Sequence, residues 1–212
     1  MDPQRQRWDE YYRSGNRTDE DGWLDSHRGY FRAGQRILDL GSGDGGNLGF
    51  LLSLSNDVHA CDYSPAAIAS IEGRYPAKAL LADIRESLPY GDSTFDVVVA
   101  DLSLHYFSER ETQAILDEVS RILKPDGVLL GRVNSTDDVL HGANQGVEIE
   151  RNFFDRDGIR KRFFDIGMIH GLFGAKFEVV SAEETRTRKY RDEKAAWEFV
   201  ARNARPSEAA HG

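Results

Sequence analysis

The feature that most constrains the fold is the glycine-rich stretch between an apolar run at residues 37–40 and an amphipathic run at residues 48–54. Glycines stand at positions 41, 43 and 45, and this order predicts a strand, a tight loop and the start of a helix. Glycine permits positive φ and allows a ligand to approach the backbone closely. Together with the free N–H groups at a helix start, the stretch favours a nucleotide-like ligand.

Composition narrows the class of protein. The chain has 212 residues and a formal net charge of −9, which suits one α/β domain and disfavours DNA or RNA as a partner. Cys61 is the only cysteine, so no disulfide framework or zinc knuckle is expected and a reducing compartment fits. Neither a signal peptide nor a membrane-length apolar run is visible, and we expect a cytoplasmic protein without a membrane partner.

Strand and helix patterns alternate along the chain. Strands are predicted at 35–40, 57–62, 77–82, 95–101 and 128–134, and helices at 47–55, 64–73, 108–123 and 165–173. Asn47 is the predicted N-cap of the first of these helices. Alternating segments at 177–190 and 194–202, joined by a turn at 191–193, predict an antiparallel pair. The expected fold is α/β: a Rossmann-like, doubly wound, seven-stranded sheet, mostly parallel with a C-terminal antiparallel edge hairpin.

Three segments lie outside this core domain of residues 36–202 or interrupt it. Residues 1–35 contain Trp8, Tyr11 and Tyr12 at helical spacing, which predicts an N-terminal helix that either packs on the domain or forms a lid. Residues 135–163 are polar without a clear period, and we expect a variable insertion on the substrate side. Residues 203–212 are predicted to be a flexible tail.

A minimal dinucleotide pattern is present. Gly41, Gly43 and Gly46 satisfy G-x-G-x-x-G, and Asp62, at the end of the second strand, can accept the ribose hydroxyls of NAD. Taken alone, this pattern allows an NAD-binding oxidoreductase.

A longer pattern resembles a different family. Asp39-x-Gly41-x-Gly43-x-Gly45 is similar to the first motif of class I S-adenosylmethionine-dependent methyltransferases. Asp62 resembles that family's ribose-binding acid, and Asp83 its adenine-contacting position. Residues 95–105 and 123–129 resemble its fourth motif and the turn into its fifth strand. Because the motifs follow the family's order, the resemblance covers about residues 36–202 and is closest to the small, free-standing members that methylate small molecules.

The resemblance implies S-adenosylmethionine as cofactor and S-adenosylhomocysteine as product. Asp39 would hold the loop or meet the cofactor's ammonium through water, and Asp83 would accept from the adenine amino group. The implied cofactor-binding residues are Asp39, Gly41, Ser42, Gly43, Asp44, Gly45, Asn47, Asp62, Tyr63, Ala82, Asp83, Ile84, Asp101 and Leu102.

Methyl transfer from a sulfonium is an in-line displacement that depends on alignment and desolvation. His105, just after the fourth strand, is the candidate general base; a pocket-wall histidine without a proton role is the alternative. Tyr11, His105, Tyr106 and Arg132 are candidate acceptor contacts. Four residues could meet an anionic acceptor, and surface solvation is the favoured alternative for them: Arg132, Asn134, Arg160 and Arg162.

No metal site is expected, since metal-ligand spacing is missing. We expect a monomer or homodimer with a small-molecule acceptor. A protein substrate and a non-catalytic cofactor-binding module remain as alternatives.

Overall fold

The computed structural model describes residues 3–18, 20–187 and 192–204. Its largest element is a seven-stranded sheet. The strands of this sheet are β1 (Arg36–Leu40), β2 (Asp57–Asp62), β3 (Lys78–Leu81), β4 (Phe95–Asp101), β5 (Leu123–Asn134), β9 (Phe177–Thr187) and β10 (Lys194–Asn203). The helices are α1 (Pro3–Arg13), α2 (Leu48–Leu54), α3 (Pro65–Glu72), α4 (Glu109–Ile122) and α5 (Ile166–Phe173). Short 3-10 helices cover Trp23–Tyr30, Leu104–Tyr106 and Val139–His141.

The strand order is β3-β2-β1-β4-β5-β10-β9. β1 pairs in parallel with β2 and β4, and β10 is antiparallel to both β5 and β9. This is the predicted doubly wound sheet with its antiparallel C-terminal hairpin. The expected end of the first hairpin strand at 188–190 and the first turn residue, 191, lie outside the described residues. The order of the strands reverses between β1 and β4, and ligands bind at such a switch point in open α/β sheets.

Apolar side chains alternate between the two faces of the central strands. Leu38, Val98 and Leu129 face a core covered by α4 and α5. Ile37 and Val97 face the opposite core, which α2, α3 and the 3-10 helix at Trp23–Tyr30 cover. Burial on both faces explains why these parallel strands read as nearly continuous apolar runs. No helix among the described residues is long and apolar enough to cross a lipid bilayer.

The insertion at 135–163 contains a second sheet that the sequence pattern did not reveal. Three short antiparallel strands run in the order β6 (Val147–Glu150), β7 (Phe153–Arg156) and β8 (Ile159–Arg162). Phe154 and Phe163 pack with Ala143 into a small core. A sheet of four-residue strands with so few buried side chains is too short to produce a readable period.

The expected surface role of Arg162 is wrong, because its side chain is fully buried. Its Nε donates to the carbonyl of Phe107 at 3.3 Å and its Nη1 to that of Arg151 at 3.0 Å, and it is ion-paired to Glu150. Asn134 is also fully buried and not a solvated surface residue. Arg162 therefore fastens the small sheet to the segment that follows β4.

The N-terminal helix α1 lies on the body of the domain without burying any of its residues. Asp9 connects it to the N-terminus of α3: its Oδ1 accepts from Ser64 Oγ at 2.9 Å and from Ala66 N at 3.0 Å. Ser64 in turn caps α3 by accepting from Ala67 N. Because α1 has no buried face, polar and aromatic contacts hold it in place.

Candidate active site

The glycine loop lies between β1 and α2 at the switch point of the sheet. Gly41 has φ +71°, and a Cβ there would lie 2.5 Å from Ser103 Cβ, in the segment after β4. Gly43 has φ +54°, and a Cβ there would collide with the hydroxyl of Tyr12 on α1. Only glycine meets both requirements, since other residues disfavour positive φ and have no room. The loop is thus in close contact with α1 on one side and with the end of β4 on another.

Asp62, at the end of β2, is buried directly behind this loop. Its Oδ2 accepts from Gly43 N and its Oδ1 from Ser64 N, both at 2.9 Å. Burial raises the pKa of Asp62 to about 6, although the backbone N–H donors of Ser64, Gly43 and Tyr63 oppose the shift. The carboxylate orders the loop and also borders the cavity described below.

Asn47 does not cap α2, contrary to expectation. Its backbone is helical and its side chain makes no capping bond. Its Oδ1 instead accepts from Trp23 Nε1 at 3.0 Å, and its Nδ2 donates to Asp39 Oδ1 at 3.5 Å. Asp39 is completely buried at the base of the loop. The asparagine side chain therefore connects the first motif to the segment before β1.

Two predicted cofactor contacts in the loop lie away from the cavity. Asp44 accepts from Thr18 N at 3.0 Å and is ion-paired to Arg74 at 2.9 Å, which turns its carboxylate away. Gly45 does not line the cavity either, whereas Gly46 does. These contacts order the loop from outside.

Asp83, just after β3, borders the cavity with its carboxylate already engaged. Arg85 Nη2 lies 2.6 Å from Asp83 Oδ2, and Arg85 N and Nε both lie 3.0 Å from Oδ1. Burial opposes the effect, but the hydrogen bonds from Arg85 lower the pKa of Asp83. The group is an anion fixed in one orientation.

A cavity of about 440 Å³, here called the larger cavity, opens above the loop at the carboxyl ends of β1, β2 and β4. It brings together most of the predicted cofactor contacts. Of these, Gly41, Ser42, Gly43, Asn47, Asp62, Tyr63, Ala82, Asp83, Ile84, Asp101 and Leu102 line it. Helix α1 and the β7–β8 hairpin contribute further walls, with the residues Pro3, Gln4, Trp8, Tyr12, Asp155, Gly158 and Arg160.

A second cavity of about 250 Å³, the smaller cavity, adjoins the first. The two share four lining residues: Gln4, Trp8, Leu102 and Tyr106. The residues that line only the smaller cavity are Arg7, Tyr11, His105, His141, Ile159, Lys161 and Lys194. Leu102 has φ +54°, which turns the chain sharply between β4 and the 3-10 helix that carries His105. Such backbone strain in a non-glycine residue is typical of functional sites.

His105 is 2% exposed and lines the smaller cavity. Burial, together with the nearby Lys194 and Lys161, holds its pKa well below the usual histidine value. The imidazole is therefore neutral at pH 7. Its Nδ1 has no hydrogen-bond partner among the described residues, and the ring packs 4.1 Å from the ring of Tyr106.

Arg132 does not line either cavity, which corrects its expected contact with the acceptor and its expected solvation. Its side chain is fully buried, with Nε 2.7 Å from Asp101 Oδ1 and Nη1 2.7 Å from Asp21 Oδ2. The guanidinium also stacks 4.8 Å from the ring of Trp23. Arg132 thus fixes Asp101, a cavity residue, from behind.

Sequence reasoning missed several cavity residues. Trp8 falls at helical spacing with Tyr11 and Tyr12, but no local pattern points to Lys161, Lys194 or His141 as cavity residues. Their shared position depends on how the small sheet folds back onto α1, and a local pattern does not report that. No group of three or more metal-ligating side chains capable of holding an ion occurs among residues 3–18, 20–187 and 192–204.

Comparison with known proteins agrees with the geometry. Residues 38–131 match the family model described as a methyltransferase domain. An uncharacterized methyltransferase of Synechocystis is 33% identical over 95 residues, which cover 45% of each chain. A tRNA N(3)-cytidine methyltransferase of Gallus gallus is 28% identical over 155 residues, which cover 66% of this chain and 42% of that protein. The chain therefore spans less than half the length of these curated relatives.

A solved structure shares the fold over nearly the whole chain. The 1,6-didemethyltoxoflavin-N1-methyltransferase of Burkholderia thailandensis, with bound 1,6-didemethyltoxoflavin and S-adenosylhomocysteine, superposes with a TM-score of 0.72 at 20% identity. The match covers 95% of this chain and 87% of that chain. At this identity the likeness concerns the fold alone.

Proposed function

We propose that this chain, whose residues 38–131 match a methyltransferase domain, transfers a methyl group from S-adenosylmethionine to a small-molecule acceptor. The observation that supports this most directly is that the larger and smaller cavities adjoin each other and that Leu102 and Tyr106 line both. A donor in one cavity and an acceptor in the other would meet at this junction. Holding two reactants in line at a short distance can supply several kcal/mol of the rate enhancement, roughly 7–11 in model reactions.

The residues of the larger cavity fit the cofactor. Asp62 supplies a buried carboxylate that can accept both ribose hydroxyls, and Gly41 and Gly43 offer bare backbone to the amino-acid end. Ala82 and Ile84 provide apolar surface for the adenine. A volume of about 440 Å³ is in the range of ordinary small-ligand sites.

The charges of the larger cavity favour this cofactor over NAD. The pyrophosphate of a dinucleotide is bound by backbone N–H groups at a helix start, and unpaired positive side chains strengthen that binding. The two arginines that line the cavity are already ion-paired, Arg85 with Asp83 and Arg160 with Asp155. S-adenosylmethionine has no phosphate and does not require them.

Several residues would prepare the acceptor for transfer. When bound, the cofactor supplies an electrophilic methyl group on a sulfonium. Trp8, Leu102 and Tyr106 would keep water away from the junction, which strengthens the nucleophile. If the acceptor atom carries a proton that leaves on methylation, the neutral imidazole of His105 would accept that proton. If His105 is only a wall residue, His105→Gln will change KM and leave kcat nearly unchanged.

Helix α1 acts as the lid of the site in this proposal. Trp8 and Tyr12 of α1 line the larger cavity, and Trp8 contacts Tyr106 edge-on, with 5.9 Å between ring centroids. The Asp9 contacts with α3 hold the helix in the closed position. An unburied helix held by a few polar bonds can open at low cost for ligand entry.

A small acceptor is favoured over a large polyanion. The chain has a formal charge of −9, which opposes binding to tRNA even though one relative is a tRNA methyltransferase. The smaller cavity, about 250 Å³ in volume, lies partly beneath α1 and suits a compact molecule.

Two measurements test the proposal. S-adenosylhomocysteine should raise the melting temperature of the protein, whereas NAD and NADP should not. Incubation with the methyl-labelled cofactor should then transfer label into the small-molecule fraction of a metabolite extract, with total tRNA and extracted protein as parallel acceptors. Stabilisation by NAD alone would favour an oxidoreductase. Cofactor binding without transfer to any fraction would favour a non-catalytic binding module.

A further inference from the structure

The smaller cavity has an unbalanced charge. The described residues that line it include Arg7, Lys161, Lys194 and the two histidines 105 and 141, and none of those described residues is a carboxylate. Asp138, which is 2% exposed, lies behind this wall in contact with two of its side chains, Lys194 and His141. An acceptor site in an acidic protein thus has a locally basic lining.

Asp138 neutralises only part of this charge. Lys194 Nζ lies 2.7 Å from Asp138 Oδ2, and His141 Nδ1 lies 2.7 Å from Asp138 Oδ1. Both oxygens of Asp138 are therefore engaged. The side chains of Lys161 and Arg7 make no hydrogen bond or ion pair with any other described residue.

The surroundings of Lys161 disfavour the charged form of its side chain. Lys161 lies on β8, opposite Phe154 of β7, and its half-buried side chain lines the smaller cavity. Burial and the neighbouring Lys194 lower the pKa of Lys161 to about 8, and Asp138 counters this only in part. A bound anion would relieve the unfavourable burial of the ammonium.

We propose that the methyl acceptor carries an anionic group, a carboxylate or a phosphate, which Lys161 and Arg7 bind in the smaller cavity. This rests on the function proposed above and names the class of its substrate. The aromatic rings of Trp8, Tyr11 and Tyr106 line the same cavity and would contact the rest of the acceptor. Because Arg7 is on α1 and Lys161 on β8, the anion would also bridge the lid to the small sheet.

Matched probes test the charge requirement. The probes are two anions, benzoate and phenyl phosphate, and benzamide, a neutral molecule of similar shape to benzoate. Each is titrated into the protein in a calorimeter, with and without saturating S-adenosylhomocysteine. We expect the two anions to bind about tenfold more tightly than benzamide, the contribution of one charge-assisted bond. The ratio of the two anion affinities separates a carboxylate from a phosphate site.

Variants assign the effect to the two cations. Lys161→Gln and Arg7→Gln should each lower benzoate affinity about tenfold and leave benzamide affinity within about twofold. Arg110→Gln is the control, because it removes the same charge from an exposed position on α4. The pKa of Lys161, followed by NMR of its side chain, should rise when benzoate is bound.

Three results would overturn the inference: benzoate binds no better than benzamide, benzoate does not bind at all, or Arg110→Gln acts as strongly as Lys161→Gln. Failure of S-adenosylhomocysteine to bind in the same samples would instead refute the proposed function. If S-adenosylhomocysteine binds and the anions are not preferred, only the anionic nature of the acceptor is wrong.

Discussion

The lid role of α1 can be tested at one residue, Asp9. Its side chain is 13% exposed, and its Oδ1 accepts from Ser64 Oγ at 2.9 Å and Ala66 N at 3.0 Å. Asp9→Ala removes both bonds between α1 and α3 without altering any residue that lines the larger cavity. Since no residue of α1 is buried, little else replaces them.

The expected magnitude follows from these contacts. Each hydrogen bond to the Asp9 carboxylate contributes about 1 kcal/mol to the docking of α1, since water replaces the bond when the helix undocks. The two bonds together contribute about 2 kcal/mol. This corresponds to a change of about 30-fold in the ratio of docked to undocked α1. Trp8 and Tyr106 keep their edge contact in the variant, so about 30-fold is an upper limit.

Burial acts against ionisation of Asp9, but the hydrogen bonds from Ala66 and Ser64 and the charge of Arg13 lower its pKa overall. The folded-state pKa is therefore below the unfolded value. The contact is fully present above the usual aspartate pKa and is lost as the pH falls through the folded value.

Hydrogen exchange over residues 3–13 and calorimetric binding of S-adenosylhomocysteine provide the assay. Asp9→Ala should speed exchange in α1 and weaken cofactor binding by up to about 30-fold, because part of the free energy of binding is then used to dock α1. Glu10→Ala is the matched control, because this carboxylate is exposed on the same helix and, among the described residues, is hydrogen-bonded only to Gln6 of that helix. Equal behaviour of the two variants would refute the anchoring role of Asp9. Faster exchange with unchanged affinity would show that α1 is not a lid.

Three further predictions concern buried groups. Burial raises the pKa of Asp62 to about 6, so its carboxylate becomes protonated in the folded chain as the pH drops from 7 to 5. Cofactor affinity measured by calorimetry should fall over this range. Asp62→Asn should lose this pH dependence along with about 1–3 kcal/mol of binding free energy. Arg132→Met leaves Asp21 and Asp101 with an uncompensated negative charge and should reduce the free energy of unfolding in urea by about 3–5 kcal/mol; a loss below about 1 kcal/mol would contradict the account of this ion pair. Burial raises the pKa of Cys61 to about 12, so iodoacetamide should leave the native thiol intact and modify it only after unfolding, as mass spectrometry would detect.

Much of the sheet and of the cofactor loop was predictable because their signals are local. The apolar runs of β1 and β4 and the glycines at 41 and 43 describe neighbouring residues whose geometry the chain itself dictates. The position of Asp62 at a strand end followed from the parallel order of the strands. The antiparallel hairpin of β9 and β10 was readable from alternation for the same reason.

What only the tertiary structure decided involves partners far apart in the sequence. Arg132 was expected at the surface or at an acceptor, yet it is held by Asp21, which lies 111 positions away. Asn47 has the residue type of a helix cap, but Trp23 competes for its side chain. Lys161 and Arg7 share a cavity only because a small sheet folds back against α1. Short-range patterns report which backbone conformation a segment prefers, whereas the charge and burial of a side chain depend on which distant segments pack against it.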